Sequence, residues 1–130
     1  DGLCDVNIEE LVKFHKSHGK IATLTSVIQE QQKGILDIGE LGAVRSFREK
    51  QITDGSPINA GFMVLQPEIF EYLKDDTTIF ETEPLEMLAE KNQLMSYQHR
   101  GFWHCMDSLR EKNELEAMWS SKKAPWKVWD

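Results

Sequence analysis

Lys20-Ile21-Ala22-Thr23-Leu24-Thr25-Ser26-Val27 is the run on which the fold turns. It is dense in β-branched residues, which suit the pleated, packed surface of a strand. Just before it, Asn7 to His18 carries helical spacing. Ile8, Leu11, Val12 and His15 share a face, Asn7 with Glu10 forms a capping box, and Gly19 supplies the stop. After it, Glu30 to Lys33 is a polar loop, and Ile35–Ile38 and Ala43–Phe47 read as two short strands around a Gly39-Glu40-Leu41-Gly42 turn. Gln51 to Pro57 is a loop carrying Asp54-Gly55, and the apolar stretch Ile58 to Leu65 is a buried strand. Pro67 opens a short helix with Ile69, Phe70 and Leu73 on its inner face, and a second helix lies near Thr82 to Lys91. Leu94 to His99 returns as a strand, and Ser108-Leu109-Arg110-Glu111 is a capping box for a last helix through Trp119. Helices alternating with strands indicate an α/β class. The consecutive short strands between 20 and 65 make its sheet mixed.

The chain has 130 residues, enough for one domain, with 40% hydrophobic and 28% charged residues, an ordinary globular balance. No apolar run approaches the ~18 residues that cross a bilayer, and no basic-then-apolar leader opens the sequence. It begins on Asp1 rather than Met, at what reads as the end of a strand, so a start trimmed from a longer chain is expected. The net charge of −7 argues against a nucleic-acid polymer as partner. An acidic protein that handles phosphates recruits them locally, with a metal or a placed Lys. Cys4 and Cys105 are too few for a secreted disulfide framework, and reduced thiols in the cytoplasm are the default.

Four short motifs carry chemistry: Asp1-Gly2-Leu3-Cys4-Asp5, Phe47-Arg48-Glu49-Lys50, Ile58-Asn59-Ala60-Gly61-Phe62, and Phe102-Trp103-His104-Cys105-Met106-Asp107-Ser108-Leu109-Arg110. Together they resemble the sugar-1-phosphate nucleotidyltransferases. The tail Lys123-Ala124-Pro125-Trp126-Lys127-Val128-Trp129-Asp130 is similar to that of the branch acting on glucose 1-phosphate with CTP. The resemblance implies the C-terminal half of a Rossmann-like, mixed-sheet nucleotide-diphospho-sugar transferase fold over residues 1–130. It implies Asp1 and Asp107 as Mg²⁺ ligands, with Asp107 and Lys50 in catalysis. Glu49 would accept from sugar hydroxyls, Lys50 would meet the sugar's phosphate, and Asn59 would bind the sugar ring. Mg²⁺ prefers oxygen ligands and typically takes one or two carboxylates plus phosphates and water.

Each of these residues also has a plainer reading. Asp107 fits the N-cap of the last helix, Glu49-Lys50 a solvated charge pair, Asn59 the cap of a strand bulge, and Phe102-Trp103 core packing. The chain departs from the family pattern at Gln51, where Pro is usual, at Ala60, and at Gln31-Gln32-Lys33-Gly34. Cys4, His104 and Cys105 accompany the aspartates, but no Cys-x-x-Cys or His-x₃-His spacing supports zinc. His15 and His18 read as ordinary surface or half-buried helix residues. No Gly-x-Ser-x-Gly elbow or phosphate-binding Gly-x-x-x-x-Gly-Lys loop is present.

The implied reaction joins CTP and α-D-glucose 1-phosphate into CDP-glucose and pyrophosphate. The family's glycine-rich loop for the triphosphate has no counterpart in these 130 residues, so the chain alone is expected to be catalytically incomplete. Homo-oligomers are expected, with exchange of elements between copies as one form. Two other readings share these residues: a uridylyl- or thymidylyltransferase sibling, and a non-catalytic sugar-phosphate-binding or assembly module.

Overall fold

The protein is described by a computed structural model over residues 1–28 and 57–130. The predicted strands at 35–47, the loop before Pro57, and Glu49, Lys50 and Gln51 lie outside the described residues. The elements run β1 (Gly2–Cys4), α1 (Ile8–His18), β2 (Ala22–Ile28), β3 (Pro57–Leu65), a 3₁₀ helix (Pro67–Tyr72), α2 (Glu83–Glu90), β4 (Leu94–Gln98), β5 (Trp103–Cys105) and α3 (Leu109–Ser120).

β2 is the middle strand of a mixed sheet among the described residues, antiparallel to β3 and parallel to β4. Both of its faces are covered: Ala22 is 1% exposed on one, Thr23 and Thr25 0% on the other. A central strand packed on two sides reads as a near-continuous buried run, as the opening stretch does. On the Ala22 side sits the core of Ala22, Ile69 and Leu88, joined by Tyr72, Leu85 and Leu94 from the 3₁₀ helix, α2 and β4, by Ile21 just before β2 and by Phe80 in the turn before α2. α1 lies over the Thr23 side. Its start is fixed by Asn7 Oδ1 accepting from Glu10 N–H at 3.0 Å, and Gly19 ends it in the left-handed conformation. A second, two-stranded antiparallel sheet pairs β1 with β5.

The structure corrects three expectations of side-chain placement. The apolar run 58–65 forms a strand but not a buried one: at the end of the sheet among the described residues it buries Ala60, while Ile58 and Leu65 are each 39% exposed. Phe70 does not face inward with Ile69; it is 72% exposed. The segment after Pro67 is a 3₁₀ helix, where residues three apart eclipse, so Ile69 shares its inner face with Tyr72. His15 is not a surface residue but 2% exposed. It falls on the same helix face as Leu11, which is itself buried, and both are carried against β2.

His15 belongs to a knot of polar groups over Thr23. Its Nδ1 is 2.7 Å from Thr23 Oγ1, and His18 Nε2 is 2.6 Å from the same oxygen. Lys20 N–H donates to His18 Nδ1 and the Gln66 amide to His15 Nε2. Each ring therefore carries its proton on the nitrogen facing Thr23, whose hydroxyl accepts twice. Burial holds both histidines below their usual range, helped by their mutual proximity at His15 and by Lys20 at His18. The unfolded chain then binds more protons than the fold once pH drops below about 6.5, so stability is full above that value and lost below it. Thermal unfolding followed from pH 7.5 to pH 5 is expected to show a falling midpoint; a flat profile would mean that these rings do not sense the fold.

Candidate active-site cleft

Pairing of β1 with β5 sets Gly2 opposite Cys105 and brings the first residues beside the segment that leads to Asp107. Met106 N–H donates to the Asp1 carbonyl at 2.8 Å, and the Asp1 backbone nitrogen is 3.2 Å from Asp107 Oδ1. Beside this edge opens a cleft of about 620 Å³. Asp1, Asn59 and Asp107, singled out in the sequence, all line it, together with Gly61, Glu81 and Trp103.

Asp107 does not cap the last helix. Ser108 does, its Oγ accepting from Glu111 N–H at 3.2 Å, and Glu111 returns to take the Asp107 N–H at 2.9 Å. This reciprocal box satisfies the first helical donors with the neighbours of Asp107. The Asp107 carboxylate stays 69% exposed on the cleft. Glu111 also accepts from the Ser108 hydroxyl and from Cys105 Sγ at 2.6 Å, three bonds in all. The hydrogen bond from Cys105, then those from Asp107 and Ser108, hold Glu111 down at about 2. The same bond, reinforced by burial, pushes the Cys105 thiol up to about 11. Cys105 is thus a protonated donor at neutral pH and no nucleophile.

Asn59 does cap a bulge, as its plainer reading anticipated. The register between β2 and β3 shifts between Leu24, opposite Met63, and Ser26, opposite Asn59. Gly61 turns the extra length with φ of 93°, and Asn59 Oδ1 accepts from its N–H at 2.9 Å. Asn59 also lines the cleft, with one lone pair of Oδ1 held by Gly61. The bulge is tethered to the small sheet by Trp103, whose Nε1–H donates to the Ala60 carbonyl at 3.1 Å. Gly2 makes room for that indole: a Cβ there would stand 3.2 Å from Trp103 Nε1. Trp103 is therefore both wall and brace.

Glu81 escaped the sequence reading. It sits in the turn before α2, and a lone Glu there has no local signature; only tertiary structure brings it to the cleft. Two three-residue groups of metal-capable side chains lie within 4.8 Å among the described residues: Cys105, Asp107 and Glu111; and Cys4, Asp5 and His99. In the first, the thiol and Glu111 are spent on each other. In the second, Asp5 Oδ1 accepts from Phe102 N–H and lies 2.9 Å from His99 Nε2, a clamp on the loop after β4. His104 joins neither, its ring nitrogens facing the Cys105 carbonyl and Glu114. No helix among the described residues is long and apolar enough to cross a membrane.

No protein-family model matches the chain. Over all 130 residues it is 48% identical to the glucose-1-phosphate cytidylyltransferase of Salmonella typhi, and it spans 50% of that protein. It is 42% identical to the probable glucose-1-phosphate cytidylyltransferase of Bacillus subtilis, again spanning 50% of it. It is 33% identical, over 121 residues, to the mannose-1-phosphate guanylyltransferase catalytic subunit beta of Drosophila pseudoobscura pseudoobscura, of which it spans 32%. The chain thus spans about half the length of the cytidylyltransferases it matches. Over its whole length it is a relative of the glucose-1-phosphate cytidylyltransferases, consistent with the C-terminal half of such a protein.

Proposed function

We propose that this chain is the sugar-phosphate- and metal-binding portion of a glucose-1-phosphate cytidylyltransferase, within a Rossmann-like nucleotide-diphospho-sugar transferase fold. The observation that carries the reading is the convergence of Asp1, Asn59 and Asp107, from three distant stretches of the chain, on one cleft. The mixed sheet with helices on both faces is compatible with that fold. The similarity along the whole chain and the tryptophan-rich tail favour CTP over UTP or dTTP.

In the reaction, a phosphate oxygen of glucose 1-phosphate attacks the α-phosphorus of CTP in line. The new P–O bond forms as the bond to the β-phosphate bridging oxygen breaks, and pyrophosphate leaves with that electron pair. The attacking oxygen is already anionic, so the site needs no strong base. Asp1 and Asp107 would hold Mg²⁺, and the freedom of the Asp107 carboxylate from the helix cap suits a hard cation. Bound there, Mg²⁺ would supply charge neutralisation between two polyanions. Asn59 orients the sugar through Nδ2, and Glu49 and Lys50, outside the described residues, take the sugar hydroxyls and phosphate. Alignment of this kind supplies roughly 7–11 kcal/mol of a bimolecular barrier.

The test is pyrophosphate release by the protein expressed from its complete open reading frame, with Mg²⁺, glucose 1-phosphate and each nucleoside triphosphate in turn. Release with CTP alone is expected, and none from the isolated 130 residues. Release only with UTP or dTTP would reassign the base. Silence with every nucleotide would leave a sugar-phosphate-binding module.

A further inference from the structure

We infer that Glu81 is a specificity-determining contact of this cleft, accepting hydrogen bonds from the sugar hydroxyls of the bound sugar phosphate. The inference rests on the sugar-phosphate reading above and adds a residue to it.

The turn carrying Glu81 is held from both sides. Phe80 packs against the core of Ala22, Ile69 and Leu88, and Pro84 is fully buried. Between them, Thr82 donates to the Ile79 carbonyl through its N–H at 3.2 Å and its hydroxyl at 2.7 Å. Leu85 N–H closes onto the Phe80 carbonyl at 3.3 Å. With its neighbours anchored, Glu81 has a fixed root, and its exposed side chain lines the cleft. Among the described residues it makes no hydrogen bond or ion pair, whereas nearby Glu83 pairs with Lys74.

The chemistry of the cleft says what such a carboxylate meets. Glu81 is not grouped with Asp107 in a three-donor metal cluster among the described residues. A lone carboxylate without a metal repels phosphate, so the phosphate end of a ligand goes to the aspartates and the neutral end to Glu81. The Asn59 amide oxygen already accepts from Gly61 N–H, and its Nδ2 supplies the N–H donors of the side chain. A hydroxyl both donates and accepts. Asn59 Nδ2 can give to its oxygen, but its proton needs an acceptor, and Glu81 is the one carboxylate besides Asp1 and Asp107 among the described residues lining the cleft. Donor and acceptor together match a polyhydroxylated ring.

The experiment uses Glu81→Gln and Glu81→Ala in the protein expressed from its complete open reading frame. It measures calorimetric binding of glucose 1-phosphate with Mg²⁺, steady-state KM for both substrates, and the series of monodeoxy glucose 1-phosphates. Glu81→Ala is expected to weaken glucose 1-phosphate roughly 10- to 100-fold, the scale of a hydrogen bond to a charged group, while KM for CTP stays within about twofold. In the unmodified protein one monodeoxy analogue should lose a similar factor, and it should lose little more when combined with Glu81→Ala, the non-additivity of a shared contact. Glu81→Gln should recover part of the loss. Unchanged binding in both variants, or full additivity with every analogue, overturns the inference. Failure of the unmodified protein to bind glucose 1-phosphate removes the parent reading and this one with it.

Discussion

Asp107→Asn, made in the protein expressed from its complete open reading frame, is expected to lower kcat for pyrophosphate release by at least roughly 100-fold, the scale seen when a preorganised charge-stabilising group is removed. Its unfolding free energy should stay within about 0.5 kcal/mol, as for an exposed substitution outside packing and caps. The separation of effects follows from the start of α3. Had Asp107 been the N-cap, its loss would have weakened the helix and blurred any reading of activity. Ser108 and Glu111 close the capping box instead, and Asp107 contributes only its backbone N–H, which Asn retains. Ser108→Ala, by contrast, should cost about 1 kcal/mol of stability. Activity assays beside chemical denaturation check both. A stability loss in Asp107→Asn as large as that of Ser108→Ala would return Asp107 to a structural role.

Thr23→Val is expected to destabilise the fold by about 2–4 kcal/mol, because Val keeps the shape and removes the one oxygen that accepts from the buried His15 and half-buried His18 rings. A loss of that size is a large part of the ~5–15 kcal/mol that holds a domain together. Neither His15 nor His18 can turn its N–H elsewhere without surrendering the bond at its other nitrogen, from Gln66 or Lys20. Thr23→Ser, which keeps the hydroxyl, should cost about 1 kcal/mol for its lost methyl. Urea titration of the three proteins is decisive: midpoints that do not separate Val from Ser would show that the hydroxyl is dispensable.

Local rules carried the helices. Asn7 with Glu10 and Ser108 with Glu111 each satisfy donors within one turn, so the starts of α1 and α3 can be read from adjacent residues. The buried strand β2 was legible for a similar reason, since its β-branched run needs no partner to be recognised. His15 was readable too, because its helical spacing puts it with Leu11, yet its polarity argued for the surface. Only Thr23 and Gln66, 8 and 51 residues away in sequence, make its burial tolerable. The three-residue strand β5 carries no signal of its own, being a product of pairing, whereas the bulge of β3 left one in Asn59-Ala60-Gly61. Asp1, Asn59 and Asp107 were found through motif resemblance and come together in the structure, while Glu81 reaches the same cleft through the tertiary packing of Phe80 and Pro84 on either side of it.

The hydrogen bond from the Trp103 indole to the Ala60 carbonyl spans the two sheets. One sheet edge bears the aspartates, and the other bears Asn59. A rigid bicyclic ring fixed at both ends acts as a gauge block: it sets the span between the two banks, and no rotamer of a neighbouring chain can reset it. A molecule that bridges those banks has to match that span.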